Sequence, residues 1–169
     1  MSTSIIIVSV IIAFCLFFPI YLFSKIGKSN TRNMLKKHLL EAAKYNLTLI
    51  EKEHWGNSFI GIDPNQNSVL FIKTIPKEDH SMVIPLIEIK KCNILKVVKP
   101  TKVVGKTENL LEKVTLEFVY FANNKPNLSL NFYDIDGDFK EDFEMRRAEK
   151  WVNLINNQIH LLQKTAKVA

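Results

Sequence analysis

An uncharged, apolar run over residues 5–23, IIIVSVIIAFCLFFPIYLF, constrains this chain more than any other feature. Its nineteen residues would extend for about 28 Å as a helix, close to the thickness of the hydrocarbon core of a bilayer. Ser9 is its one clearly polar residue, and Pro19 lies near the end, where membrane helices tolerate proline. The run therefore predicts an N-terminal transmembrane anchor over residues 1–24.

A cleaved signal peptide is the alternative interpretation of this run. Such a peptide has a positively charged start, a shorter apolar core and small residues before the cleavage site. Residues 1–4 carry no side-chain charge, and residues 19–23 are too bulky for a cleavage site. We therefore favour an uncleaved anchor.

The charges that follow the run predict its orientation. Residues 25–44 contain six basic side chains and one acid, Glu41. Because the flank richer in Lys and Arg stays in the cytoplasm, we expect the N-terminus outside the cell (inner) membrane and the remaining chain inside. Cys15 and Cys92 form no disulfide framework, which agrees with a cytoplasmic domain. The basic juxtamembrane residues are Lys25, Lys28, Arg32, Lys36 and Lys37, with Lys44 beyond them.

A helix predicted over residues 29–45 lies within this basic juxtamembrane segment, residues 25–46. Its apolar stripe follows helical spacing and consists of Met34, Leu35, His38, Leu39, Ala42 and Ala43. Residues 47–169 are long enough for one domain with a single core.

From Leu47 onward the hydrophobic pattern has the period of two that is typical of β-strands. Segments rich in Asp, Asn and Pro supply the turns, and Trp55-Gly56-Asn57 is predicted to form a bend. Trp55 is expected to pack on the sheet edge, with a ligand-facing position as the alternative. Strands are predicted over residues 47–54, 57–63, 68–74, 82–87, 88–98, 114–122 and 127–133, and residues 99–113 are left open between an ordered hairpin and a mobile loop.

An amphipathic helix is predicted over residues 140–164. Asp138 is its candidate N-cap, with Glu141 three positions later. The fold class expected is α+β, mainly antiparallel β: a bent sheet or partly open barrel of about seven strands, capped by the C-terminal helix. The stripe expected to be buried consists of Ala148, Trp151, Val152, Ile155, Ile159 and Leu162.

This order of elements resembles that of a pleckstrin-homology-like (PH-like) domain of the bacterial, membrane-tethered kind. The resemblance rests on Phe59-Ile60-Gly61-Ile62-Asp63 before a turn and Ser68-Val69-Leu70-Phe71-Ile72 after it. It extends through Val83-Ile84-Pro85-Leu86, Ile89, the paired strands of residues 114–133 and Ala148-Glu149-Lys150-Trp151. The resemblance implies that Trp151 packs against the sheet core. It also implies binding of lipid head groups, peptides or proteins, and fold alone does not choose among these.

The acidic segment Asp134-Ile135-Asp136-Gly137-Asp138 comes nearest to a metal-binding motif. An EF-hand loop has Gly at position 6 and Glu at position 12, whereas Gly137 stands at position 4 and Met145 at position 12. We interpret the segment as an acidic turn that caps the next helix, with a weak surface cation site as the alternative. No metal and no cofactor are expected.

No motif for catalysis is found either. The histidines lack the spacing of a metal site, and Cys92 is expected to be buried rather than nucleophilic. There is no Gly-rich phosphate loop and no G-x-S-x-G motif, so we expect no enzyme and assign no catalytic residue. Surface or rim positions are expected for His38, His54, His80 and His160.

The second basic stretch is the strongest indication of function. Residues 88–106 contain six lysines and one acid, Glu88. Near an anionic leaflet each Lys contributes about 1 kcal/mol of binding, and the alternative is a solvated, charged hairpin. The stretch has no interleaved aromatic residues, so nucleic acid is not an expected partner. The lysines are Lys90, Lys91, Lys96, Lys99, Lys102 and Lys106.

Two binding functions follow, and an enzyme has no positive support. The first is a membrane-tethered module that recruits or scaffolds a protein or peptide partner, for which an edge strand suits strand addition. The second is the sensing of anionic phospholipid head groups through residues 90–106. We rank the first ahead, because a domain that is already anchored gains little localisation from lipid binding.

The apolar run makes a prediction about membrane association. We expect the 169-residue chain to stay with membranes through an alkaline carbonate wash, and Ile11→Lys combined with Leu16→Lys to release it, because each Lys costs about 3 kcal/mol at the centre of a spanning helix. Fractionation followed by immunoblotting measures this. The matched control is Ile11→Leu with Leu16→Ile, and wild-type chain in the soluble fraction would contradict the anchor.

Overall fold

The protein, seen in a computed structural model, starts with a helix, continues as β-strands and ends with a second helix. The structure describes residues 3–75, 78–103, 106–137 and 143–166. The chain divides into two compact units, Met1–Glu41 and Ala42–Ala169. Within the described ranges the elements are α1 (Thr3–Lys44), β1 (Glu51–Trp55), β2 (Ser58–Asp63), β3 (Ser68–Ile75), β4 (Glu78–Pro85), a 3-10 turn (Leu86–Glu88), β5 (Ile89–Val103), β6 (Lys106–Tyr120), β7 (Leu128–Asp134) and α2 (Glu144–Ala166).

Helix α1 is continuous from Thr3 to Lys44. The sequence predicts an anchor over residues 1–24 and a helix over 29–45, and in the structure one helix runs from the first into the second without interruption. Gly27 lies between them, but one glycine costs about 1 kcal/mol in a helix, which is too little to end it.

The predicted membrane crossing by residues 5–23 gains no support from the structure. Among the described residues, no helix combines the length and the apolar character needed to cross a membrane.

The strands form two antiparallel sheets. Sheet A has the order β1-β2-β3-β4 and sheet B the order β5-β6-β7, so strands adjacent in sequence are adjacent in space. The 3-10 turn over Leu86–Glu88 connects the last strand of sheet A to the first of sheet B. The predicted α+β class, with seven antiparallel strands in the described part of the chain and a helix after them, is confirmed.

One hydrophobic core contains side chains from both sheets and from α2. Its largest fully buried members include Trp151, Phe118 and Phe132. Burying a large apolar side chain contributes about 1.5–3 kcal/mol, so these residues dominate the packing of α2 on the sheets. The predicted helix stripe is confirmed: Ala148, Trp151, Ile155 and Ile159 are buried, while Val152 and Leu162 pack against the core from its margin.

Sheet A is buried on both faces at its centre. Ile60 and Ile62 of β2 belong to the shared core. Phe59 alternates with them and therefore lies on the other face of the strand, and it is also fully buried. Gly61 faces Leu49, whose Cδ1 atom lies 2.6 Å from where a Cβ atom would stand. A larger residue at this position would displace the Leu49 side chain, so glycine leaves the room in which Leu49 packs on β2.

The end of α1 is capped within the second unit. Asn46 adopts a left-handed conformation with φ +55°. Its N–H donates to the carbonyl of Ala43 at 3.0 Å, and the N–H of Leu47 donates to the carbonyl of Ala42 at 3.1 Å. This pattern is a Schellman motif, which ends the helix and turns the chain toward β1.

Asp63 holds the segment that follows this cap. Its carboxylate accepts hydrogen bonds from the backbone N–H groups of Thr48 at 2.6 Å, Asn65 at 2.9 Å and Gln66 at 3.0 Å. Residues 47–50, predicted as strand, are not strand, because the N–H of Thr48 is taken by a carboxylate; β1 begins at Glu51. Burial raises the pKa of Asp63, but the three N–H donors outweigh it and hold the pKa below its usual value.

A polar cluster attaches α2 to β1. The carboxylate of Glu53 accepts hydrogen bonds from Arg147 Nε at 2.8 Å, Lys150 Nζ at 3.1 Å and Trp151 Nε1 at 2.9 Å. Burial raises the pKa of Glu53, yet these three donors hold it below its usual value. Trp55 is 7% exposed and lies under the Arg147 guanidinium, 5.0 Å from its ring centre, so its expected packing is confirmed and it does not face a ligand in solvent.

Four further predictions have mixed outcomes. His38 is 1% exposed rather than at the surface, because it lies one helical turn from the buried Ala42 on the apolar stripe of α1. Ala43 is exposed, although the helical spacing of the sequence places it in that stripe. His80 and His160 are exposed and His54 is half-buried, as expected. The predicted N-cap Asp138 and Glu141 lie outside the described residues.

Asp63→Asn is expected to lower the free energy of unfolding by about 1–3 kcal/mol at neutral pH, since its Nδ2 would place a donor against the N–H of Thr48. The depressed native pKa of Asp63 contributes stability above its unfolded pKa, and this stability is lost as the pH falls through the native pKa. Urea unfolding of the 169-residue chain in detergent at several pH values measures both effects. The control is Asp136→Asn in an exposed turn. If Asp63→Asn lowered the free energy of unfolding as much at acid pH as at neutral pH, this result would contradict the role assigned to the Asp63 carboxylate.

Candidate functional site

The longest strand pair is the hairpin of β5 and β6, each 15 residues long. Its register runs from Ile89 opposite Tyr120 to Val103 opposite Lys106. The stretch left open by the sequence, residues 99–113, is therefore strand on both sides of residues 104–105, which lie outside the described residues. The other side of β5 is an edge of sheet B.

Helix α2 covers the first part of this edge through Asn156. The N–H of Cys92 donates to Asn156 Oδ1 at 2.9 Å, and Asn156 Nδ2 donates to the carbonyl of Cys92 at 2.8 Å. Gln163 Nε2 donates to the carbonyl of Lys90 at 3.2 Å. The amide of Asn156 thus takes the place of a neighbouring strand at Cys92, which shields this part of the edge.

These contacts reveal which backbone groups of β5 face away from β6. Because both polar groups of Cys92 point to α2, and strand geometry repeats every two residues, the N–H and C=O groups of Ile94, Lys96 and Val98 also point away from β6. Pro100 has the same parity and contributes no N–H, which is the usual place for proline in an edge strand.

We call residues 94–98 the open edge. Among the described residues, the structure gives no hydrogen-bond partner to the outward backbone groups of Ile94, Lys96 and Val98. Asn156 bounds the open edge on one side and Pro100 on the other. Its side chains are apolar and well exposed at Leu95 (46%), Val97 (48%) and Val98 (46%).

Strand pairing assigns the open edge two different faces. Ile94 and Lys96 lie opposite the buried Leu116 and Val114, on the side of the sheet that carries the core. Leu95 and Val97 lie opposite Thr115 and Lys113, on the outer side. A β-bulge between Val97 and Val98 shifts the register with β6, so Val98 lies opposite Leu111, which packs against the core.

The lysines of the predicted lipid-binding site do not all lie on one face of β5. Lys90, Lys91, Lys96 and Lys99 are all exposed. Lys91 and Lys99 share the outer side of β5, whereas Lys96 lies on the other side, because their positions differ by an odd number of residues. Lys102 pairs with Thr107 and Lys106 with Val103 as backbone, and the side chains of both lysines lie outside the part that the structure describes.

The juxtamembrane lysines and arginine lie on α1. Arg32 and Lys36 are exposed and share a helix face at i, i+4 spacing, with the exposed Lys37 beside them. Lys25 and Lys28 are in the same helix, and their side chains lie outside the described ones.

Two other candidates lie near the hairpin. Cys92 is 3% exposed, and burial together with the carboxylate of Glu117 raises the pKa of its thiol to about 12, so it is a buried packing residue as predicted. In the acidic turn, Asp134 accepts hydrogen bonds from the N–H of Asp136 and from Asn131, and pairs with Lys113 at 3.2 Å. Over the described ranges, no group of three acidic, His or Cys side chains could hold a metal ion.

Asn156 and the exposed apolar residues of the open edge are not among the site residues predicted from the sequence. Asn156 and Cys92 are 64 residues apart, and no local pattern links them. The open edge itself does have a signal in the sequence. Leu95, Val97 and Val98 interrupt the run of lysines, and Pro100 is typical of an edge strand.

Comparisons with protein-family models, with curated proteins and with solved structures found no match.

The Asn156 contact makes a prediction about Cys92. In a Cys15→Ser background, we expect the Cys92 thiol to resist alkylation in the native state, because it is buried with a raised pKa. Asn156→Ala removes both hydrogen bonds to Cys92, and a loss of about 1.4 kcal/mol would raise the alkylation rate about tenfold. The matched control is Asn157→Ala, one position along on an exposed face. Equal rates in the two variants would contradict the capping role.

Proposed function

We propose that this protein is a non-catalytic binding module that receives an extended segment of a partner protein by strand addition at the open edge of β5. The observation that carries the proposal is the set of outward backbone groups of Ile94, Lys96 and Val98, bounded by Asn156 and Pro100. In strand addition, main-chain hydrogen bonds supply affinity and alternate side chains supply specificity. The exposed apolar side chains of Leu95 and Val97 suit the second role.

A PH-like domain is part of this proposal. Its support is the order of a four-stranded sheet, a three-stranded sheet and a C-terminal helix, with Trp151 fully buried in the core. A bent sheet or partly open barrel would let α2 cover one corner while the β5 edge stays accessible.

Membrane tethering through residues 5–23, with the domain in the cytoplasm, completes the proposal. Its support is the sequence: nineteen uncharged residues followed by the basic residues of 25–44. A tether would raise the local concentration of the module near partners in the same membrane.

Anionic lipid is the weaker candidate ligand, because the exposed lysines of β5 are divided between the two sides of the strand. A bilayer presents one plane, and Lys96 lies on the side opposite to that of Lys91 and Lys99. Strand addition uses both sides of the edge at once, so the same arrangement favours an extended peptide.

The proposal is tested by photo-crosslinking in cells with a benzophenone amino acid at Leu95. Val98→Pro removes one outward N–H while leaving the bonds to β6 in place, and one strand hydrogen bond contributes about 0.5–1.5 kcal/mol. We therefore expect the yield of the crosslinked adduct between the chain and its partner to fall by about three- to tenfold in Val98→Pro. The yield should persist in the matched control Val98→Ala.

An adduct that is unchanged by Val98→Pro would contradict strand addition. Flotation of the 169-residue chain in neutral and in anionic vesicles, probed by protection of Lys96 and Lys99 from acylation, tests the lipid alternative. Protection that appears only in anionic vesicles would favour lipid sensing, and equal labelling in both would favour a protein partner.

A further inference from the structure

We infer that the segment bound at the open edge carries an acidic residue at its centre, opposite Lys96, and apolar residues on either side. This inference rests on the proposed function and adds the chemistry of the partner. It follows from the charges of β5, from the faces of its side chains and from the pairing rules of antiparallel strands.

The charge on β5 is of one sign. Residues 89–103 contain five lysines and neither Asp nor Glu. Among the described residues, the structure gives no ion-pair partner to Lys90, Lys91, Lys96 or Lys99, whereas Lys113 of the neighbouring strand pairs with Asp134 at 3.2 Å.

The acids of the hairpin do not neutralise the open edge. They lie on β6, one strand spacing of about 4.8 Å further from an added strand. Glu117 is also engaged, since it accepts hydrogen bonds from Asn93 Nδ2 at 3.2 Å and Asn127 Nδ2 at 3.0 Å. An added segment therefore meets the lysine charge of β5 first.

Pairing rules place each side chain of the added segment. In an antiparallel pair, directly opposite residues lie on the same face and interact. A residue opposite Lys96 would share its face with an ammonium group, which favours Asp or Glu. Residues opposite Leu95 and Val97 would lie on the outer side beside exposed apolar side chains, and residues opposite Ile94 and Val98 would lie beside apolar side chains on the other side.

A second copy of this chain fits the open edge poorly. Twofold pairing centred on Lys96 places Lys96 opposite its own counterpart, and pairing centred on Leu95 places Lys91 opposite Lys99. Pairing centred on Val97 opposes no two lysines directly, but it still brings together two strands that each contain five lysines and no acid. Like charges directly opposite each other are destabilising. The charge of the edge thus favours a different, acidic segment over self-association.

The test uses three labelled peptides that differ only in the central residue, which is Glu, Gln or Lys, with two β-branched apolar residues on each side. Fluorescence anisotropy measures their binding to the 169-residue chain in detergent. We expect the Glu peptide to bind at least about threefold more tightly than the Lys peptide at low salt, and the preference to shrink at about 1 M salt.

Lys96→Glu is expected to reverse the order of the Glu and Lys peptides. The matched control is Lys91→Glu, which changes the same charge beside the part of the edge that Asn156 covers, and it should keep the wild-type order. In a Cys15→Ser background, native resistance of Cys92 to alkylation verifies that each variant is folded. Salt dependence in the wild-type chain gives a second reading that needs no substitution.

The outcomes separate this inference from the proposed function. Equal binding of all three peptides, weakened about three- to tenfold by Val98→Pro, would overturn the acidic centre and leave strand addition in place. Binding that is unaffected by Val98→Pro, or no binding by any of the three peptides, would overturn strand addition and this inference with it. If Lys96→Glu reverses the order of the Glu and Lys peptides, and Val98→Pro weakens their binding, the acidic centre and strand addition are both established.

Discussion

The position of α2 is the constraint on which the rest of the domain depends. Trp151 is fully buried in the core, and its indole N–H donates to Glu53 on β1 at 2.9 Å, so one side chain joins the apolar core to the polar cluster. A buried indole without a partner for its N–H would cost about 1–3 kcal/mol, which makes the Glu53 contact a condition for the packing. The Arg147 contacts with Glu53 and Glu144 then fix the first turn of the same helix.

The position of α2 at Trp151 determines which part of the β5 edge is covered and which part stays open. Asn156 lies five residues further along the helix and reaches the backbone of Cys92 with both atoms of its amide. The helix therefore has two roles that use different faces: its apolar stripe closes the core, and its amide side chains shield an edge strand. Because the described side chains of α2 contact the β5 backbone at Cys92 and Lys90, the open edge beyond them retains the polar groups that a strand partner would use.

Much of this fold could be predicted from the sequence, because alternation along the strands and the stripe of α2 are local patterns. The order of seven strands and a final helix, and the burial of Ala148, Trp151, Ile155 and Ile159, were predictable for this reason. What could not be predicted depends on distant contacts: Asp63 accepts the N–H of Thr48, 15 residues away, and the strand predicted over residues 47–54 begins only at Glu51. The candidate site was predicted in part, since the lysines were identified but their division between two sides of β5 needs the register.

The boundaries of the open edge have a consequence for how recognition in such a domain could change over time. In the proposed function, Asn156 and Pro100 would set the length of partner segment that could pair, about five residues or about 17 Å of strand, independently of the partner's side chains. A proline at another position of β5, or an asparagine one turn away on α2, would lengthen or shorten the open edge without disturbing the core. The same limit would confine an added strand to part of the hairpin, and short or interrupted edges are one way in which proteins avoid open-ended strand pairing.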